Sequence, residues 1–171
     1  MLELRPAALA EFSLLPAIEA ASDTLLTQIA GQRLTRPMPS GAGAAEFAAA
    51  LHIMVAGRPA VAFVRLEEVD GQAHLEQLSV QPDFARHGIG RALIHAAVAW
   101  ARECGYHAMT LTTFADVPFN APFYASCGFA VDSSPGPELL RRRNHERELG
   151  LDALGDRVVM RISLDGKYPQ A

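Results

Sequence analysis

His74 and Glu76 stand two residues apart in the stretch AHLEQLSV, so in an extended chain their side chains share one face. An imidazole and a carboxylate side by side can take a proton from an incoming nucleophile near neutral pH. The same stretch runs through a proline-containing turn into RHGIGRAL, where Gly88 and Gly90 precede a long amphipathic run. Strand, glycine turn and helix N-terminus, in that order, suit a phosphate. The first amides of a helix lack intrahelical acceptors, the helix dipole favours an anion, and glycine lets the backbone approach closely. The chemistry these residues raise is proton abstraction beside a phosphorylated ligand.

Two common phosphate motifs are excluded. A nucleoside-triphosphatase loop needs Lys and then Ser or Thr after its second glycine, and here Arg91 and Ala92 follow Gly90. The dinucleotide fingerprint needs a glycine at position 93, which is Leu93, and a βαβ unit near the N-terminus. Two readings remain from the residues alone. Either a helix N-terminus holds a pyrophosphate, or a strand-to-helix turn carries two convenient glycines.

The elements around these residues follow from periodicity and turn chemistry. LELRP alternates as a half-buried strand, and residues 8–30 read as a helix interrupted or kinked at Pro16. RPMPSGAGA reads as a loop and AAEFAAAL as a short helix. LHIMVA, AVAFVRLE and AHLEQLSV read as a three-strand antiparallel meander, the last two joined by an Asp70-Gly71 hairpin turn. From Gly88 to Cys104 an apolar stripe of Ile89, Ala92, Leu93, Ala96, Ala97, Trp100, Ala101 and Cys104 marks an amphipathic helix that Gly105 stops. HAMTLTTF is a β-branched strand. NAPFYASCGF is a short helix with Asn120 as N-cap, Pro122 in its first turn and Gly128 past its end. Residues 137–149 read as a polar helix, RVVMRISL as a last strand, and 165–171 as a frayed tail.

Bulk properties narrow the classes. The chain has 171 residues, half of them hydrophobic and a fifth charged, enough for one globular domain with a real core. A net charge of -4 and a pI near 5.8 argue against a nucleic-acid partner. Cys104 and Cys127 form neither a disulfide framework nor a metal spacing, and both read as buried small hydrophobes. His52, His95, His107 and His145 show no metal-ligand spacing, so no metal is assigned. No apolar run is long enough to span a bilayer, and MLELRPAALAEF lacks the pattern of a secretory signal. A cytoplasmic protein without a membrane partner is expected. In LLRRRNHERELG the charges fall at helical spacing, with Arg142 facing Glu146 and Arg143 and Arg147 facing neighbouring carboxylates, as on a solvated helix face.

LSV, the proline turn and RHGIGRAL, followed by the long helix, resemble motif A of the GCN5-related N-acetyltransferase (GNAT) superfamily. FYASCGF resembles that superfamily's second motif, a tyrosine ahead of a Gly-Phe pair that opens the next strand. The order of elements matches over residues 2–164, and agreement at two levels outweighs either motif alone. TTFADVPFNAPFYASCGF and the ending HERELGLD…RVVMRISL look like a bacterial subgroup whose substrates are mostly unassigned.

The resemblance implies a single α/β domain over residues 1–171. Its mixed, mostly antiparallel sheet splays between two parallel strands, with helices on both faces. It implies acetyl-CoA as cofactor and an amine of a small molecule as acceptor. The main chain of Leu78, Ser79 and Val80 would bind the pantetheine arm and supply oxyanion donors. Amides from Arg86, His87, Gly88, Ile89, Gly90 and Arg91 would hold the pyrophosphate, with Asn120 a further cofactor contact. Tyr124 would protonate the departing thiolate, and Glu76, ahead of His74 or a shuttled water, would be the base. Glu19 belongs to the region that lines the acceptor pocket in such folds. Two positions depart from the family pattern. Ala85 replaces the usual Gln or Arg three residues before the first glycine, with Arg86 beside it. Val117 replaces an Asn often found seven residues before the tyrosine. A catalytically silent CoA-binding module and a transferase of longer acyl groups are the alternatives, and a homodimer is compatible with either.

Overall fold

The computed structural model describes residues 2–30 and 41–166. Its elements are β1 (Leu4–Pro6), α1 (Leu15–Ala30), α2 (Ala44–Ala49), β2 (His52–Ala56), β3 (Ala62–Val69), β4 (Gln72–Val80), α3 (Ile89–Glu103), β5 (Ala108–Phe114), α4 (Ala121–Ser126), β6 (Ala130–Val131), α5 (Pro137–Glu148) and β7 (Arg157–Ser163). The seven strands lie in the order β1-β2-β3-β4-β5-β7-β6. Only β4 and β5 run parallel among the pairs described, in the register Ala73↔Met109 and His74↔Thr110. An α/β fold with a mixed, mostly antiparallel sheet was expected, and this is what forms. None of the described helices is long and apolar enough to cross a membrane.

The chain divides into two compact units, Met1–Glu67 with Glu76–Ala97, and Glu68–Leu75 with Val98–Ala171. In the first, Leu15 and Ile18 of α1 and Phe47 of α2 pack with Ile53 and Val55 of β2 and Phe63 of β3. Burying each of these large side chains contributes roughly 1.5–3 kcal/mol. Pro16 begins α1 rather than kinking it. Leu9–Glu11 form a separate 3-10 turn, and Pro16 sits in the first turn of the helix, where a missing N–H costs nothing. Most of the loop predicted at RPMPSGAGA lies outside the described residues, as does the end of the predicted tail.

In the second unit, β5 pairs with β7 along its whole length, from Ala108↔Ser163 to Phe114↔Arg157, and β6 adds Ala130↔Arg161 and Val131↔Met160. Leu139 of α5 packs on Val69 and Val159. The hairpin turn forms as expected, with Asp70 at φ 53° and Gly71 at φ 67°. Two left-handed residues in succession match the twist of the flanking strands.

Several details differ from the sequence reading. The buried face of α3 is Leu93, Ile94, Ala97, Val98 and Ala101, so the stripe includes Ile94 and Val98 and ends before Cys104. Cys104 is exposed and Cys127 buried. Asn120 occupies the N-cap position of α4, but its side chain makes no capping bond, and its carbonyl accepts the Tyr124 amide at 2.9 Å. Arg142 reaches back to Glu138 at 3.7 Å rather than forward to Glu146, whose carboxylate lies against Arg157 at 3.0 Å. Arg143 and Arg147 meet Asp152 at 2.6 and 3.1 Å.

Candidate active site

The turn before α3 is built by two left-handed residues, Arg86 at φ 62° and Gly88 at φ 76°. Between them His87 is exposed, as are Arg86 and Gly88 themselves. The helix starts at Ile89, and the Ala92 amide is bonded to the Gly88 carbonyl at 3.0 Å. The amides ahead of Ala92 precede the first helical hydrogen bond and are the donors that an anion can use. Arg86 and Arg91 add positive charge to this end of the helix.

Upstream, Ser79 is fully buried and its hydroxyl accepts from the Gln77 amide side chain at 2.8 Å, while Leu78 and Val80 are half-buried. Glu76 is exposed, with its carboxylate 3.9 Å from the Arg65 guanidinium. Arg65 is buried, meets Glu67 at 3.2 Å, and lies 5.5 Å from the centre of the Phe47 ring. Glu19 is also buried. Burial raises its pKa above the usual carboxylate value, the charge of nearby Asp23 adds to this, and the Ala42 amide and Arg65 oppose it. The Ala42 amide donates to the Glu19 carboxylate at 3.3 Å. Within the first unit, therefore, Glu19 feels the charges of Asp23 and Glu76, which raise its pKa, and of the buried Arg65, which lowers it. The sequence reading named Glu19 and Glu76 but neither Asp23 nor Arg65. Arginine at an inward position of a strand is the signal that would have found the latter.

His74 has a different environment from Glu76. It is 4% exposed, and its Nδ1 lies 2.8 Å from Thr110 Oγ1 on β5. The parallel register sets Thr110 directly beside it. A β-branched strand residue with a hydroxyl is easily read as a strand former only, and Thr110 was not singled out.

Tyr124 on α4 is 8% exposed, with its ring against Phe123 at 5.5 Å and Phe129 at 6.0 Å between centroids. Burial pushes its pKa well above that of an ordinary phenol. The phenol therefore stays protonated across the whole physiological range, the state a proton donor requires. A ring held by packing is chemically compatible with a hydroxyl that donates a proton.

The order and pairing of these strands, with a glycine turn opening the helix after β4, give the fold of an N-acetyltransferase. The chain belongs to the Acetyltransferase (GNAT) family, whose profile matches residues 26–129. Over 63 residues it is 35% identical to streptothricin acetyltransferase A of Bacillus subtilis (strain 168), a match that spans 36% of each chain. Among solved structures it is similar to the ribosomal-protein-S18-alanine N-acetyltransferase of Escherichia coli, at 17% identity and a TM-score of 0.66, covering 100% of this chain and 99% of the other. It is also similar to the PaiA N-acetyltransferase of Thermoplasma acidophilum, solved in complex with coenzyme A, at 15% identity and a TM-score of 0.64, covering 95% of this chain and 99% of the other. At such identities the likeness is one of fold.

Proposed function

We propose that this protein transfers an acetyl group from acetyl-CoA to a primary amine of a small-molecule or amino-acid-like acceptor. The observation that carries this reading is the family match over residues 26–129, which contains the glycine turn, β4 and Tyr124 together. Two of the relatives described above are named for acetyl transfer to different acceptors, streptothricin and the alanine of ribosomal protein S18, so they support the reaction class rather than one acceptor.

The residues fit the cofactor chemically. Free amides at the start of α3, with Arg86 and Arg91 nearby, form a donor set for a pyrophosphate. Acetyl-CoA supplies the activated acyl carbon. The main chain of Leu78, Ser79 and Val80 holds the pantetheine arm in strand fashion and offers N–H donors to the thioester oxygen. The Tyr124 hydroxyl donates its proton to the departing sulfur. Glu76 takes the proton from the incoming ammonium, and its exposure lets it do so directly or through water.

The test is release of free thiol from acetyl-CoA against a panel of amines, run with calorimetric titration of acetyl-CoA. Thiol release that depends on one class of amine supports the reading. Binding without release for any amine moves the protein to a silent CoA-binding module. Absence of binding overturns the assignment of the glycine turn.

A further inference from the structure

Four residues stand directly opposite one another across neighbouring strands: His74↔Thr110, Thr110↔Arg161 and Arg161↔Ala130. Directly paired residues project from the same face of a sheet, about 4.5–5.5 Å apart at Cβ. The row therefore places an imidazole, a hydroxyl, a guanidinium and then a methyl group side by side. Ala130 is the small member, which leaves space beyond Arg161. Asp132 follows two residues later on the same face, held at its backbone by its amide, which donates to the Val159 carbonyl at 2.9 Å.

Of these, Thr110, Arg161 and Asp132 border a cavity of about 420 Å³ within the second unit, together with Ser134 and Gln72 among others. Ligand pockets for small molecules run from about 300 to 1,000 Å³, and this one falls in the lower part of that span. Its two charged groups of interest are not consumed by the fold. Arg161 makes no ion pair or side-chain hydrogen bond among the described residues. One oxygen of Asp132 accepts the Ser134 amide at 2.9 Å, and that is its one side-chain bond among the described residues. Asp70, which also borders the cavity, is occupied by the start of α5. A guanidinium and a carboxylate facing one small cavity without pairing to each other match a ligand that carries both charges.

We propose that this cavity binds a small zwitterion, an α-amino acid or a close analogue. Arg161 takes the ligand's carboxylate through its planar fork, Asp132 takes its ammonium, and Thr110 and Gln72 offer uncharged hydrogen-bond partners. A simple amine would leave Arg161 unused, and a simple acid would leave Asp132 unused, so both charges contribute to recognition. The inference concerns this cavity alone and stands independently of the transferase reading.

The experiment is calorimetric titration of the full chain, with and without CoA, using a panel of α-amino acids. Each is compared with its amide and with the amine left after removal of the carboxylate. At least one amino acid should bind roughly ten- to hundredfold more tightly than its amide, the span expected for one charge-assisted pair. Arg161→Gln should abolish that difference, and Arg161→Lys should restore part of it, because the charge returns without the fork. Equal affinity for acid and amide, or an Arg161→Gln variant that binds like the parent, overturns the proposal. The same is true if no zwitterion binds under either condition. Failure of acetyl-CoA to bind counts against the transferase reading instead, and the amino-acid titration is read independently of it.

Discussion

The Asp70 carboxylate accepts the Glu138 and Leu139 amides, each at 2.9 Å, while the Asp70 amide donates to the Glu138 carboxylate at 3.0 Å. This is a reciprocal helix cap made across 68 positions of sequence. The local N-cap of α5 is Gly136, which has no side chain to offer. A Cβ there would land on the Asp70 carboxylate, so the glycine is what admits the remote cap.

Asp70→Ala should destabilise the protein by about 2 kcal/mol, the upper range for losing a helix cap. Asp70→Asn, which keeps an acceptor, should cost less. Gly136→Ala should also destabilise, by displacing the same carboxylate. The double variant should be less destabilised than the sum of the two single changes, because both act on one contact. Urea denaturation midpoints decide this, and strict additivity would mean that the two changes do not act through one contact.

Tyr124→Phe removes a hydroxyl and leaves the buried ring packed on Phe123 and Phe129. Turnover should fall by roughly a factor of 10²–10⁴, as for loss of a positioned proton donor, with acetyl-CoA affinity nearly unchanged. Steady-state rates and calorimetry together check it. An unchanged rate would remove the phenol from the reaction.

Gly88 holds φ 76°, and a Cβ added there meets no heavy atom within 4 Å. Gly88→Ala therefore acts through backbone strain, at a cost of about 1–2 kcal/mol. Relief of that strain would re-aim the amides that open α3. Acetyl-CoA should bind about tenfold more weakly, from the same energy applied to a misdirected donor. Parental affinity in a folded variant would show that the turn has no part in holding the ligand.

Glu11 receives both terminal nitrogens of Arg5 at 2.6 Å, with the Ala8 amide at 2.9 Å. The Arg5 hydrogen bonds, then the Ala8 amide, hold its carboxyl down from 4.5 to about 2. The unfolded chain thus binds this proton more readily than the native one does. The stabilising contribution is complete above about 4.5 and is lost as pH falls toward about 2. Glu11→Gln should lower stability at pH 7 and flatten the acid limb between those values. Thermal melts from pH 2 to pH 7 measure both. An acid limb identical to the parent's would contradict the assignment.

Glu19 should show the opposite sign. Its buried carboxyl titrates above the unfolded value of 4.5, so the native state binds the proton more readily and stability declines as pH rises through that window. Glu19→Gln should stabilise the protein at pH 7, with the gain shrinking near pH 4, while the Gln side-chain oxygen can still accept the Ala42 amide. Melting at the two pH values tests this, and equal effects at both would refute it. If Glu19 also helps to hold a cationic acceptor, the same variant will raise KM for that amine.

Local signals made much of this fold legible. The Asp70-Gly71 turn, the glycine at 105 and the amphipathic period of 88–104 each specify their element within a few residues. The glycine turn before α3 and the short helix that carries Tyr124 were legible by motif for the same reason. What the sequence did not show depends on which distant residues meet. His74 and Glu76 share a strand and a parity, yet one is buried on Thr110, 36 positions away, and the other is exposed. Arg161 reads as one charge in a strand until β5 and β6 flank it. Glu146 was assigned to Arg142 by helical spacing alone, and a strand residue, Arg157, lies against it instead. Cys104 sits where the buried stripe of α3 has already run out, a boundary that periodicity locates only to within a turn.

The two compact units do not divide the chain into two consecutive pieces. The polypeptide passes from one to the other after Glu67, returns after Leu75 and leaves again after Ala97, so these passages fall within β3, β4 and α3. Neither unit can be excised as one continuous peptide. A cut that frees the C-terminal portion halves α3 and strips that unit of Glu68–Leu75, the segment that brings Val69, Asp70 and His74. The cap on α5 and the imidazole beside Thr110 therefore arrive on a hairpin tip loaned by the N-terminal half. The chain must be made past residue 110 before His74 can find its hydroxyl.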